Sequence, residues 1–174
     1  VNLDVFGLVA AGGRIVLPCQ YKNLEQISAN LLKYGTVIYY QYTEGNTRYT
    51  KSLLAFGLVD AQGNEVVPEG MASIGQESEG LRAYARYYSD TNIEFGYMDS
   101  DWKRVFIVAN VGKASVEDAF KFGITETKWY LFQCDINDLL SPFSNGKAFV
   151  KLSLSGQYTR DGRWIDSTGK GTMP

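Results

Sequence analysis

Apolar and polar positions along this chain keep a two-residue beat over most of its length. Leu81-Arg82-Ala83-Tyr84-Ala85-Arg86 and Lys147-Ala148-Phe149-Val150-Lys151 alternate small or apolar side chains with charged ones, which predicts strands with one wet face. Each follows a Ser-x-Gly turn, Ser78-Glu79-Gly80 in the first case and Ser144-Asn145-Gly146 in the second. Elsewhere, pairs of short apolar runs bracket Gly13, Gly63 and Gly169, glycines able to take the positive φ of a tight hairpin. One stretch departs from the beat. Ser115-Val116-Glu117-Asp118 reads as a capping box, and Ala119-Phe120-Lys121-Phe122 before Gly123 predicts a short helix.

The hairpin segments resemble one another. Phe6-Gly7-Leu8-Val9 continues to Gly13 and Ile15-Val16-Leu17-Pro18, and Phe56-Gly57-Leu58-Val59-Asp60 continues to Gly63 and Glu65-Val66-Val67-Pro68. Phe95-Gly96-Tyr97-Met98-Asp99 leads through Trp102 to Arg104-Val105, and Arg163-Trp164-Ile165-Asp166 leads to Gly169-Lys170. Four such segments predict tandem β-hairpins, because a unit that recurs in one chain buries its apolar face against the next. Asp60, Asp99 and Asp166 stand where the first strand ends, placed to accept hydrogen bonds from turn amides. Gly7, Gly57 and Gly96 predict a bulge or a close neighbour, and Pro18 and Pro68 are expected to stop the second strand.

These residues resemble the bacterial WG (KWG) repeat, whose unit joins a Ser-Glu-Gly-Leu-Ala strand to Trp-Gly-Tyr-Ile-Asp, a glycine turn and Val-Ile-Pro. Ile15-Val16-Leu17-Pro18-Cys19-Gln20-Tyr21 is similar to the family's Ile-Pro-Pro-x-Tyr ending. Phe replaces the signature Trp in three segments, and Arg163 stands where the last should carry Gly, so the match is to a divergent member. The resemblance implies repeated β structure and binding of a protein or ligand, with no active site to carry over. The expected fold is therefore all-β, with tandem hairpins stacked into a continuous antiparallel array, solenoid-like or closed as a barrel or propeller, and one short helix in an insertion. A single module over residues 1–174 would hold repeats at about 1–35, 53–75, 78–108 and 142–174.

The spacing places insertions at 36–52 and 109–141, where a repeat array carries its specific features. Thr36 to Thr50 reads as an extended hairpin around Glu44-Gly45-Asn46, and it carries Tyr39, Tyr40, Tyr42, Arg48 and Tyr49. Tyrosine and arginine offer large contact areas with polar ends, so these five are the candidate residues for a protein partner or a glycan. The directions of Tyr84, Tyr87 and Tyr88 bear on the same choice. In the second insertion, Lys128 to Cys134 reads as a buried strand and Asp135-Ile136-Asn137-Asp138 as a turn, lacking the rest of a calcium loop.

Composition narrows the function. With 17 basic and 19 acidic residues there is no net positive field to attract nucleic acid or anionic lipid, and no stretch is long enough for a membrane span. The absence of histidine removes chemistry that depends on an imidazole base or ligand. Gly112-Lys113-Ala114-Ser115 and Gly169-Lys170-Gly171-Thr172 lack phosphate-loop spacing, so no cofactor or metal is expected. A carboxylate pair acting on a glycoside, drawn from Glu44, Glu77, Glu79 and Asp101, is the enzymatic alternative. A non-catalytic binding module is preferred, since none of these acids sits in a supporting motif. Cys19 and Cys134 are too few for a disulfide framework or a zinc cluster; a single bridge between them is one reading, and two buried thiols acting as small apolar residues the preferred one. An extracytoplasmic bacterial setting accords with the family.

Overall fold

The structure, a computed structural model, describes residues 5–89, 92–111, 136–154 and 158–173, with backbone alone at 37–44, 49, 51–54, 88, 89, 92, 111 and 158. It is mostly antiparallel β. The chain divides into unit 1, Val1–Gln41 with Thr50–Met71, and unit 2, Tyr42–Tyr49 with Ala72–Pro174.

Unit 1 contains β1 (Phe6–Val9) and β2 (Ile15–Tyr21) as a two-stranded sheet. Its other strands are β3 (Asn23–Ser28), β4 (Leu31–Glu44), β5 (Thr47–Asp60) and the start of β6 (Glu65–Ser78), each hydrogen-bonded to the next. A core of Leu17, Tyr34 and Val59 gathers Leu8, Val16, Tyr21, Leu24 and Leu32 around it.

In unit 2, β7 (Leu81–Ser89), β8 (Asn92–Asp99) and β9 (Arg104–Val111) form a meander, and β10 (Lys147–Leu152), β11 (Tyr158–Asp166) and β12 (Gly171–Thr172) a three-stranded sheet. A one-turn helix, α1 (Ile136–Leu139), packs Ile136 and Leu139 into a core with Phe95, Tyr97, Phe143, Val150 and Ile165. Thus α1 stands at 136–138 where part of the turn over 135–138 was expected, since two of its side chains are drawn inward, and Asp135 lies outside the described residues. The helix expected over 115–122 and the strand over 128–134 lie outside the described residues. No sheet closes on itself among those described.

The four expected hairpins all form, and they share backbone detail. Phe6 pairs with Tyr21, Leu8 with Leu17 and Val9 with Ile15, while Phe56 pairs with Met71, Leu58 with Val67 and Val59 with Glu65. The two registers and their bulges coincide position for position. The third hairpin repeats the last two steps, Tyr97 with Phe106 and Met98 with Arg104. The fourth pairs Ile165 with Gly171 but lacks the bulge, so Thr172 faces Trp164.

Pro18 and Pro68 lie inside β2 and β6, not at their ends. The partner strand advances two residues where theirs advance four, so both prolines fall in a bulge that asks for no ladder donor. Cys19 follows Pro18 and is an exposed free thiol, against the buried position expected, because the bulge turns it outward beside Gly7.

Each hairpin turn closes with the same pair of backbone bonds. The amide of Asp60 donates to the carbonyl of Asn64 at 2.9 Å, and Gly63 donates back to Asp60 at 3.0 Å, a pattern repeated at Ala10, Asp99 and Asp166. The residue three positions on has φ of +80° at Gly13, +90° at Gly63 and +82° at Gly169. In the third turn Trp102 holds the same conformation at +64°, unusual for a bulky side chain.

The carboxylate Oδ1 of Asp60 accepts the amides of Gln62 at 2.9 Å and Asn64 at 2.8 Å, and Asp99 and Asp166 bind their own turns in the same way. Hydrogen bonds from Asn64 hold Asp60 below the usual carboxylate range, and those from Thr168 do the same for Asp166. Ala10 leaves the first turn without this acceptor. Ala10→Asp should raise the melting temperature by about 2–4 °C, as read by calorimetry, through two new turn bonds. An unchanged or lower value would show that these carboxylates do not hold the turns.

Candidate functional site

The hairpins differ in what covers the residue before the turn. Val59 is 4% exposed, Met98 4% and Ile165 0%, but Val9, at the same register position, is 58% exposed. Its cross-strand partner Ile15 is 68% exposed, and at that position the other hairpins carry Glu65, Arg104 and Gly171. Strand geometry explains the juxtaposition. Leu8 and Leu17 turn inward as a pair, so after the bulge Val9 and Ile15 point outward together. Phe6, Val5 and Ile27 are also exposed apolar residues of unit 1.

The turns differ in the same sense. A Cβ built on Gly63 would lie 2.8 Å from the Val16 carbonyl oxygen, so the second hairpin's turn is pressed against the second strand of the first. A Cβ on Gly169 would lie 2.7 Å from the Phe106 ring, placing the fourth turn against the second strand of the third. Around Gly13 no atom comes within 4 Å of that point. The first hairpin thus presents, open, a face that the second and fourth have covered.

Tyrosines lie over the strand glycines. A Cβ on Gly57 would meet Tyr34 Oη at 2.3 Å, and one on Gly96 would meet the Phe106 carbonyl oxygen at 2.4 Å and Tyr84 at 2.9 Å. Burial, then the Glu65 and Glu69 carboxylates, pushes the Tyr34 phenol up to about 12. Tyr84 donates to Glu94 Oε1 at 2.5 Å, while Arg104 donates to Glu94 Oε2 at 3.2 Å. Burial, reinforced by that bond to Glu94, raises the Tyr84 phenol above its ordinary value.

Of the five residues singled out from sequence, Arg48 is exposed near the start of β5. Tyr39, Tyr40 and Tyr42 lie on β4 and Tyr49 on β5, in the extended hairpin expected, but their side chains lie outside the described set. Tyr39 and Tyr40 belong to unit 1, and Tyr42, Arg48 and Tyr49 to unit 2. Tyr84 points inward, onto Gly96, and Tyr87 is half-buried against the unit 2 core. The side chain of Tyr88 is outside the described set.

The acids take structural posts. Glu77 pairs with Arg82 and accepts from Ser100 Oγ at 2.8 Å. Arg82 stacks 3.8 Å from the Trp102 ring centre, where burial pushes its guanidinium below the ordinary arginine value. Glu79 accepts the amides of Asn145 at 2.6 Å and Gly146 at 2.9 Å. Asp101 is exposed, and the side chain of Glu44 is not among those described. Among the described residues no three His, Cys, Asp or Glu gather to hold a metal ion, and no helix is long and apolar enough to cross a membrane.

The sequence contained the signal for the Val9–Ile15 face, an apolar pair where its counterparts pair an apolar residue with Glu, Arg or Gly. Only the register places the two side by side. The chain matches no family model, and searches of curated proteins and of solved structures found no match.

Proposed function

We propose that the chain is a non-catalytic interaction module, made of divergent WG-type hairpin repeats, that binds a protein partner through the open face of its first hairpin. The carrying observation is the exposure of Val9 at a position buried in the three other hairpins. An apolar pair in water is a standing driving force for association, about 25 cal/mol for each Å² that a partner covers. A flanking Arg14, exposed beside the pair, supplies the polar rim usual at such contacts. The repeat reading draws support from the coincident registers, bulges and turn bonds of the first two hairpins. The posts held by Glu77 and Glu79 favour binding over a carboxylate-pair hydrolase, since both acids already serve the fold.

The test compares the parent with a Val9→Lys/Ile15→Lys variant, immobilised and exposed to an extract of the source cells, with a glycan array in parallel. Both substitutions sit in water, so melting should shift by less than about 2 °C, while retention of partner protein should fall by tenfold or more, on the order of 2 kcal/mol per anchor. Equal retention by the two chains, or glycan binding that survives the double substitution, would move the site elsewhere, with the Arg48 hairpin next.

A further inference from the structure

We infer that Asn145 is a self-modifying site, an asparagine that deamidates at its bond to Gly146 and that the Glu79 carboxylate holds unreactive. Asn145-Gly146 is the one Asn-Gly pair in the sequence. The two residues are the centre of a tight turn closed by Ser144 and Lys147, with φ of +54° and +72°. Both are exposed, and a Cβ built on Gly146 would meet no atom within 4 Å. With no side chain on residue 146, nothing of its own screens that amide nitrogen from the Asn145 side chain or from water. The inference goes beyond the interaction-module reading and does not depend on it.

The chemistry needs only water. The Gly146 nitrogen attacks Cγ of Asn145, so that an N–Cγ bond forms and the Cγ–Nδ2 bond breaks. The proton lost from the Gly146 nitrogen leaves with the departing amino group as ammonia. Water then opens the cyclic imide at either of its carbonyls. One opening gives aspartate, and the other gives isoaspartate, whose main chain runs through the β-carbon. Asparagine is a thermolabile residue for this reason.

Attack requires the Gly146 nitrogen to give up its proton and to turn toward Cγ. In the folded chain that N–H donates to Glu79 Oε2 at 2.9 Å, while the Asn145 N–H donates to Oε1 at 2.6 Å. Two charge-assisted bonds fix both peptide planes, and the carboxylate charge opposes a negative nitrogen forming beside it. Reaction therefore waits on local opening of this contact. The products then keep it open. Aspartate sets a second negative charge on the residue whose own amide binds Glu79, and isoaspartate inserts a further main-chain atom between two amides that one carboxylate must span. The modification is thus a one-way release of Glu79.

The full chain and its variants are incubated in mildly alkaline buffer and followed by mass spectrometry of peptides, with isoaspartate separated by chromatography. Glu79→Ala should convert Asn145 about tenfold faster than the parent. Glu79→Gln, which keeps the length and one acceptor oxygen, should fall between the two, and it serves as the test if the alanine variant does not fold. Ser78→Ala removes an adjacent bond, Ser78 Oγ to the Phe143 carbonyl at 2.7 Å, yet leaves Glu79 in place, so its conversion should stay near the parent's. Asn145→Asp makes one product directly and should lower the melting temperature by about 2–4 °C in the parent, more at low salt, but not in the Glu79→Gln background.

Equal conversion of Asn145 in the parent and in the Glu79 variants overturns the inference. So does a Ser78→Ala chain that converts as fast as Glu79→Ala, since loosening of the two turns would then suffice without the carboxylate. A melting loss from Asn145→Asp that is the same in both backgrounds, or absent from both, overturns the one-way release.

Discussion

Gly57→Val should lose about 3 kcal/mol or more of folding stability, measured by urea unfolding of the two chains side by side. A Cβ at residue 57 would lie 2.3 Å from Tyr34 Oη and 2.4 Å from Cζ, well inside contact distance. Tyr34 is itself buried in the unit 1 core, so it has no free path to swing aside. Overpacking of this kind costs about 1–3 kcal/mol where the neighbour yields, and more when a buried ring is expelled with its apolar contacts. The specific mechanism has its own control. Tyr34→Ala should destabilise alone, yet the double variant Tyr34→Ala/Gly57→Val should be less damaged than the two losses added, since the cavity from one accepts the bulk of the other. Strict additivity, or a Gly57→Val chain that unfolds like the parent, would remove close approach as the reason for glycine there.

The second large effect is expected at Glu94, the buried acid between Tyr84 and Arg104. Glu94→Ala strands the Tyr84 hydroxyl inside the protein without an acceptor and opens a void beside it, a combination that costs on the order of 3 kcal/mol. Glu94→Gln keeps an oxygen for Tyr84 and loses only the charge facing Arg104, so it should cost about 1 kcal/mol. The ratio of the two losses in chemical denaturation is the informative quantity. Equal losses would show that the charge, and not the hydrogen bond to Tyr84, is what Glu94 contributes.

Much of the fold was legible because its signals are local. Flanking apolar runs with an Asp, a glycine three positions on, or both, specify a hairpin turn within one short segment, and all four such hairpins formed. The Ser-x-Gly turns were equally local: Glu79 and Gly80, like Asn145 and Gly146, have both central φ angles positive, as a tight two-residue hairpin needs. Pro18 and Pro68 were misjudged because a bulge belongs to a pair of strands, and one strand's sequence does not show where its partner falls short. Trp102 in a glycine's conformation could not be read either, since it is held by Arg82 from a different strand.

For the site, the sequence directed attention to residues rich in contact chemistry, Tyr39, Tyr40, Tyr42, Arg48 and Tyr49. Composition and spacing identify such a cluster well. The Val9–Ile15 face is instead defined by comparison among hairpins: valine is ordinary at this position, and only its exposure against Val59, Met98 and Ile165 sets it apart. Exposure of that kind depends on neighbours brought in by the chain's path, not on the residue's own type.

The bond from Glu79 to the amides of Asn145 and Gly146 also bears on how the chain reaches this structure. It joins two turns separated by 66 residues of sequence, a span whose ends must meet before the carboxylate gains its donors. Closing a loop of that length carries an entropic barrier that the hairpins, with partners a few residues away, do not face. The hairpins of unit 2 can therefore form on the microsecond scale of local pairing, whereas the Glu79 clasp waits for Ser144–Gly146 to arrive. Formed late, it acts chiefly as a latch on unfolding: it sets how long the assembled unit persists, not how fast its strands first find one another.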